Sequence, residues 1–511
     1  MQSTISFPAQ ASDAQPLGHA ALHAWSAAAL IASFGTWVLY RVDLGLNFAL
    51  FIALGVVSLT LLGAGRAGRR SPEFVLPVGA ALVLATAVAI TADFWLSVLL
   101  VATVGWLGAR TVLACAGAPL PSLGRLHLVS IPVRAAGLVA TESGDLIGDG
   151  VGAIGDGRHL PATRGIAWAI PIVTVFFLLL AEADPSFASA RKALIDAIAD
   201  LSILPRIAFF GVLGVIALGT FGLAATAHPI EFDEIEPRER LQNRTVTERA
   251  IILGAVVVLF AVFLALQLAH LFGNPGGQPG SGVTYAEAIH QGFGELTFVV
   301  SLATLLVVGL DRSALRGSGE PRVRFLSWLL LGECLLMLFS AWQRLAAYEQ
   351  AYGYTVLRIE VHLYIVYAAL GVLLLFRETL TAVDPARLAR RGFAAAVAML
   401  ALAAYWNVPA WVIDRNIERN LLTGQLDTDY LARGAGDDSL PALERGLAYL
   451  DKAQRADVLC RLNGRYARPA AVARTTAWYE WNLRRSRAEA ARARLLRLPV
   501  QCPTPTVVEE S

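Results

Sequence analysis

Six ionisable residues stand among long apolar runs in the second half of the chain: Glu295, Glu333, Arg344, Arg358, Glu360 and His362. A carboxyl or guanidinium in hydrocarbon must find a partner, water or a task, so this set carries the candidate chemistry. A mid-membrane carboxyl such as Glu333 can take up a proton or bind a cation, while guanidiniums such as Arg344 and Arg358 can grip an anionic substrate. Tyr348 and Tyr352 complete the set, and with Tyr354 they read as an interfacial aromatic belt.

Spacing decides which of these can meet. On a helix rising from Phe325 to Gln343, residues Glu333, Met337, Ser340 and Arg344 fall on one stripe. At about 1.5 Å per residue, Glu333 lies roughly 12 Å inside that run and Arg344 about 16 Å farther on. They share a face without touching, so Glu333 needs a partner from another span, bound water or a proton. In the next run Arg358 and His362 share one side, while Glu360, Tyr364 and Tyr367 line nearly the opposite one. A helix polar on two sides is unsuited to facing lipid. Glu295, in the phrase GFGEL, lies about one turn below the same surface, where Gly292 and Gly294 permit close helix approach. For all of these except Glu333, ion pairing, capping or snorkelling is an equally simple reading, because charge near an interface is cheap.

The elements that position these residues must be membrane helices. Of 511 residues, 56% are hydrophobic and 16% charged, against roughly 25% charged in a soluble domain. Apolar stretches of spanning length run near 22–40, 44–63, 75–92, 94–114, 166–182, 207–227, 250–272, 292–310, 325–343, 359–376 and 392–413. Alternate connections collect nineteen arginines on one side, against six basic residues on the other, which puts the N-terminus inside. A net charge of +2 without a basic patch excludes a nucleic-acid binder. The expectation is an all-α, polytopic integral membrane helix bundle of about eleven spans, N-in and C-out. Residues 1–21 form a cytoplasmic tail, 22–413 the transmembrane domain, and 414–511 a small extracytoplasmic helical domain.

Two connections are long. Residues 115–165 hold the Gly-Asp-rich stretch GDLIGDGVGAIGDGRHL, which reads as a flexible cytoplasmic connector, since a P-loop needs a following Lys-Ser/Thr and calcium loops need denser oxygen ligands. Residues 183–206 read as an interfacial helix lying on the membrane. In the polar tail, apolar periodicity predicts helices from Pro441 to Tyr449, Ala453 to Leu462 and Ala470 to Leu498, the last carrying Trp478 and Trp481. Cys460 and Cys502 share this outside domain, where a disulfide is permitted without being required. Closing a loop of about 40 residues, it would contribute on the order of 4 kcal/mol in the chain-entropy model. Cys115 and Cys334 read as small buried side chains.

Three segments carry a resemblance: TYAEAIHQGFGELT at 284–297, RLAAYEQAYGYTVLRIEVHLY at 344–364, and NIERNLLTGQLDTDYLARGAGDDSLPALERGL at 416–447. They resemble a bacterial polytopic membrane family catalogued as domains of unknown function, numbered four-one-five-three and four-one-seven-three. The matching positions are Tyr285, Ala286, Gly292, Phe293, Glu295 and Leu296; then Arg344, Tyr348, Tyr352, Gly353, Thr355 and Arg358; then Asn416, Arg419, Asp427, Asp429, Tyr430, Pro441, Ala442 and Leu443. His290 departs from the pattern, which has Arg there. The resemblance implies a bacterial inner-membrane protein and supplies no chemistry.

No His-Glu-x-x-His motif, serine elbow or pair of mid-span aspartates is present, so catalysis is not expected, and no cofactor or metal is called for. Two readings remain. One is a transporter- or flippase-like protein whose outer-face polar site takes an anionic small molecule or lipid. The other is a membrane-anchored sensor or assembly scaffold that meets a protein partner through the C-terminal domain. The lipid bilayer is a partner in both.

Overall fold

The computed structural model describes residues 19–62, 72–115, 127–154, 203–226, 246–273, 299–310, 321–466 except 382, 477–500 and 502. Glu295 and the apolar stretch at 166–182 lie outside the described residues, as does most of the interfacial helix expected at 183–206. Among the described residues there is no strand. The first part of the chain contributes α1 His19–Leu39, α2 Leu46–Leu62, α3 Pro72–Val88, α4 Phe94–Cys115, α5 His127–Ile154, α6 Leu204–Thr226 and α7 Val246–Gly273. Then come α8 Val299–Leu310, α9 Pro321–Tyr352, α10 Val356–Thr379 and α11 Pro385–Tyr405. Seven of these, α1, α4, α6, α7, α9, α10 and α11, are long and apolar enough to cross a membrane, and α2, α3 and α8 are shorter apolar helices.

Several packing groups build the bundle among the described residues, one of them joining α1, α2, α5 and α6 around Ala28, Ile31, Leu146 and Leu218. Helices α7 to α10 share one core around Leu330, Leu331, Val307 and Leu375. Helices α2, α3, α4 and α11 share another around Leu84, Leu100 and Ala404, reinforced by Trp106 against Phe393 at a ring separation of 4.0 Å. Large apolar side chains on the outside, such as Leu61, Trp95 and Leu305, are exposed, as expected where lipid replaces water.

Residues 127–154 correct the connector reading. They form a helix whose residues Ile131, Ala135, Val139 and Leu146 are buried, and it packs along α6. The close approach rests on Gly219, where an added Cβ would lie 2.1 Å from the Val139 carbonyl oxygen. Ser143 also donates to the Val215 carbonyl at 2.9 Å. Tertiary packing thus overrides the low helix propensity of the Gly-Asp steps.

The expected stretch 392–413 breaks at Trp406–Asn407. The Asn407 side chain accepts from the Ala410 N–H, and a proline stands at the start of the next helix, α12 Val408–Thr423, so a new helix is specified there. Ile413 and Ile417 of α12 enter the core of the tail with Leu440, Leu443, Leu459 and Leu495. Helix α12 is thus packed with the tail. The chain continues through a short π turn at Tyr430–Gly434 into α13 Leu440–Gly446, α14 Lys452–Tyr466 and α15 Leu483–Leu495. Cys460 and Cys502 are joined by a disulfide with Cα atoms 5.5 Å apart.

Helix α15 is also shorter at its start than the periodicity predicts. Asn482 caps it, so Trp478 and Trp481 precede the helix in a turn at the bundle surface. There Tyr479 meets Trp37 edge-on at 5.3 Å.

Candidate functional site

Helix α9 has 32 residues and is therefore about 48 Å long, well beyond the roughly 30 Å of hydrocarbon. Its last turns carry Arg344, Tyr348, Glu349 and Tyr352, continuing a helix that the apolar pattern ends near Gln343. Gly353, at φ +85°, stops it, a conformation in which glycine is free of the usual Cβ penalty. Thr355 then caps α10, its side chain accepting from the Arg358 N–H.

The C-terminal domain is bonded onto this hairpin. Asn416 accepts from the Tyr354 N–H at 2.8 Å and donates to the Tyr354 carbonyl at 2.7 Å. Arg419 donates to the carbonyls of Gln350 at 3.0 Å and Ala351 at 2.7 Å. The Tyr430 hydroxyl accepts from the Val356 N–H at 2.8 Å. Each contact satisfies a backbone group that a helix end leaves without an intrahelical partner.

Of the sequence-predicted site residues, four converge here. The Arg358 guanidinium donates to the Gly353 carbonyl and lies 4.3 Å from the Tyr348 ring centroid, and Tyr348 stacks on Tyr352 at 4.7 Å. His362 is buried, with its ring edge-on to Trp342 at 4.1 Å. Its Nδ1 lies 3.2 Å from the Arg358 carbonyl and 3.4 Å from a Glu349 carboxylate oxygen. Glu349, 4% exposed, is a buried carboxyl that sequence reasoning missed, although it stands inside a quoted phrase. Arg344 and Glu360 are exposed and apart from this group. Glu333 is buried in the middle of α9, and one of its oxygens has no hydrogen-bond partner among the described residues.

A second seam joins the residues before α15 to other helix ends. Asn482 donates to the Val88 carbonyl at 2.9 Å and the Thr91 carbonyl at 2.7 Å, while its oxygen accepts from the Arg485 N–H at 3.0 Å. One amide thus caps the end of α3 and the start of α15. The N–H groups of Leu483 and Arg484 donate to Ala89 and Ile90 at 2.8 and 3.1 Å, and the Leu46 N–H donates to Trp481 at 2.9 Å. Arg484 donates to the Ala404 carbonyl at the end of α11, at 2.7 Å, and lies 3.6 Å from Asp438. Burial pushes the Asp438 carboxyl up and the Arg484 guanidinium down, and their mutual attraction opposes both shifts. Nothing in the tail's apolar periodicity marks Asn482, Arg484 or Asp438 as contact residues.

Between the seams lies a cavity of about 530 Å³, bounded by Asp93 and Phe94, by Val356 of α10 and by α15. Among the described residues no cluster of three or more His, Cys, Asp or Glu side chains is arranged to hold a metal.

A family model described as a domain of unknown function (DUF4153) matches residues 78–446, and the chain belongs to that family. No curated protein matches the chain, nor does any solved structure. The matched residues hold the whole hairpin seam, whereas Asn482 and Arg484 of the second seam lie beyond them.

Proposed function

Starting from membership in that family, we propose that this is a multi-pass protein of the bacterial inner membrane that works as a membrane-anchored sensor or assembly scaffold through its C-terminal domain. The domain lies outside and the N-terminus in the cytoplasm. The observation that carries the reading is the pair of seams. A domain that merely hung from the last span would need none of these bonds, whereas one that caps the ends of α3, α9 and α11 and the start of α10 moves those helices whenever it moves. The outward placement is supported by the Cys460–Cys502 disulfide, which persists in oxidising compartments, and by the basic residues collected on the opposite side.

The anion-gripping role weighed for Arg358 loses support, because its guanidinium is committed to Gly353 and Tyr348. Transport or flipping remains the second reading on one observation, the buried Glu333 with an oxygen lacking a hydrogen-bond partner among the described residues.

Cutting the chain after Ile413 is a poor test, since it severs α12 and strips caps from the bundle. Placing charge on the exposed apolar surface is better: Leu421 and Leu422 are 60% and 84% exposed on α12. In crosslinked native membranes, Leu421→Glu with Leu422→Glu should lose a protein partner that Glu333→Gln retains. Unchanged partners, together with an ion flux in proteoliposomes that Glu333→Gln abolishes, would replace the scaffold reading with the transport one.

A further inference from the structure

The cavity between the seams has a polar wall of mixed charge. Arg485, Glu489 and Arg492 of α15 line it together with Asp93, Asp437 and Arg465, and Asp438 lines it as well. Asp438 is balanced from behind by Arg484 at 3.6 Å. With that pair the wall carries as many guanidiniums as carboxylates. An inorganic anion or an anionic headgroup would look for excess positive charge, and a polyamine for excess negative charge; the cavity offers neither.

It does offer both halves of the hydrogen bond. A guanidinium only donates and an ionised carboxylate only accepts, whereas a hydroxyl does both. Several of these groups are fixed in place. Arg465 donates to Asp437 at 2.7 Å and to the Ala432 carbonyl at 3.0 Å. Tyr466, its phenol pushed up to about 12 by burial and by Asp437, donates to the same carboxylate at 2.7 Å. Glu489 and Arg492, one turn apart on α15, have no ion-pair partner among the described residues. Arg492 instead lies 5.3 Å from the Tyr466 ring centroid, which steadies it while leaving its donors available. Phe94, 67% exposed and among the residues lining the cavity, adds apolar surface, and a sugar ring has an apolar C–H face to lay against such a ring.

We propose that this cavity is a saccharide site, in which a neutral, hydroxyl-rich ligand bridges Arg492 and Glu489 on α15 to Asp93 at the head of α4. The volume falls within the range of roughly 300–1,000 Å³ typical of small-ligand pockets. The inference rests on the reading of the C-terminal domain as the receiving face of the protein. The same chemistry fits a soluble oligosaccharide and the headgroup of a neutral glycolipid.

The full-length protein in nanodiscs of phosphatidylcholine and phosphatidylglycerol, free of sugar detergents, is probed by saturation-transfer NMR. Maltotriose and chitobiose form one arm; monoglucosyl diacylglycerol built into the nanodisc forms the other. Saturable binding is expected in at least one arm, weakened tenfold or more by Arg492→Ala and by Glu489→Ala, unchanged by Glu333→Gln and not competed by inorganic phosphate. Glu489 is exposed and touches neither seam, so a folded variant is at hand. No binding in either arm, binding indifferent to both α15 variants, or displacement by phosphate overturns the site. If the sugar fails to bind while the Leu421/Leu422 partner is still captured, only the site falls. If sugar binds and no partner depends on those leucines, only the scaffold reading falls.

Discussion

The two seams reach the bundle over different distances in the chain. At the hairpin, Asn416, Arg419 and Tyr430 bind backbone 62 to 74 positions away, and Arg419 and Tyr430 are only half-buried. Before α15, Asn482 binds backbone 391 and 394 positions away, and it is buried together with Arg484 and Asp438. Burial changes the worth of a bond more than its length does. Water can replace a lost contact of Arg419 or Tyr430, whereas Asn416 at the hairpin and Asn482, Arg484 and Asp438 at the second seam are buried, and a broken bond there leaves a dry polar group. The second seam, with three buried side chains against one at the hairpin, should therefore be the more fragile to substitution.

Arg484→Ala should break the comparison hardest. It leaves Asp438 charged in a buried site and the Ala404 carbonyl bare, a loss of about 3–5 kcal/mol. Limited proteolysis should then cut near α15, and an apolar double replacement, Arg484→Met with Asp438→Leu, should restore much of the resistance. Asn482→Ala removes two carbonyl caps and one N-cap, at a cost of about 2–3 kcal/mol. Hydrogen exchange should rise at the end of α3 and the start of α15 together, and a rise confined to α15 would show that the amide does not bridge the two helices. At the hairpin, Gly353→Ala places a Cβ 2.8 Å from the Asn416 oxygen at φ +85°, for about 1–2 kcal/mol, read as a smaller fall in thermal stability in detergent.

Acid should produce the smallest effect. Glu444, bonded to Arg494, and Asp457, bonded to Thr428 and Arg461, have carboxyls held below their ordinary values. Their stabilisation is present above the unfolded carboxylate range, about pH 4, and is lost as pH falls through the lower folded values. Asp438, held high by burial, has the opposite sign: its share is greatest below its unfolded pKa and fades as pH rises through the folded one. Tryptophan fluorescence of Trp478 and Trp481 between pH 7 and pH 3 should show only a modest loosening, because the low-pKa pairs are largely solvated.

How much of this was legible depended on sequence distance and on pattern. The membrane helices announce themselves by length and hydropathy, and the expected stretches within the described residues fall on helices, 392–413 on two of them. The hairpin seam was half legible: the phrases containing Gly353, Thr355, Arg358, Asn416, Arg419 and Tyr430 marked the segments, but nothing in their spacing said that one phrase caps the other. Glu349 escaped because it stands in a run that reads as a loop until Gly353 is known to end the helix. Asn482 and Arg484 left no trace, and Asp438 stood in a quoted phrase without a role, since a polar residue in a polar tail looks solvated until a distant helix end is seen to meet it. The Gly-Asp stretch misled for the reverse reason: the glycine that Leu146 packs against, Gly222, is on another helix.

Asn482 also bears on how the protein is made. The carbonyls of Val88 and Thr91 leave the ribosome early, and the amide that satisfies them is synthesised nearly four hundred residues later. Until it arrives, the end of α3 depends on water or on a chaperone for those bonds. The bundle is therefore finished from its last residues backward. A chain that ends before residue 482 leaves the carbonyls of Val88 and Thr91 without this amide, however complete its membrane helices are.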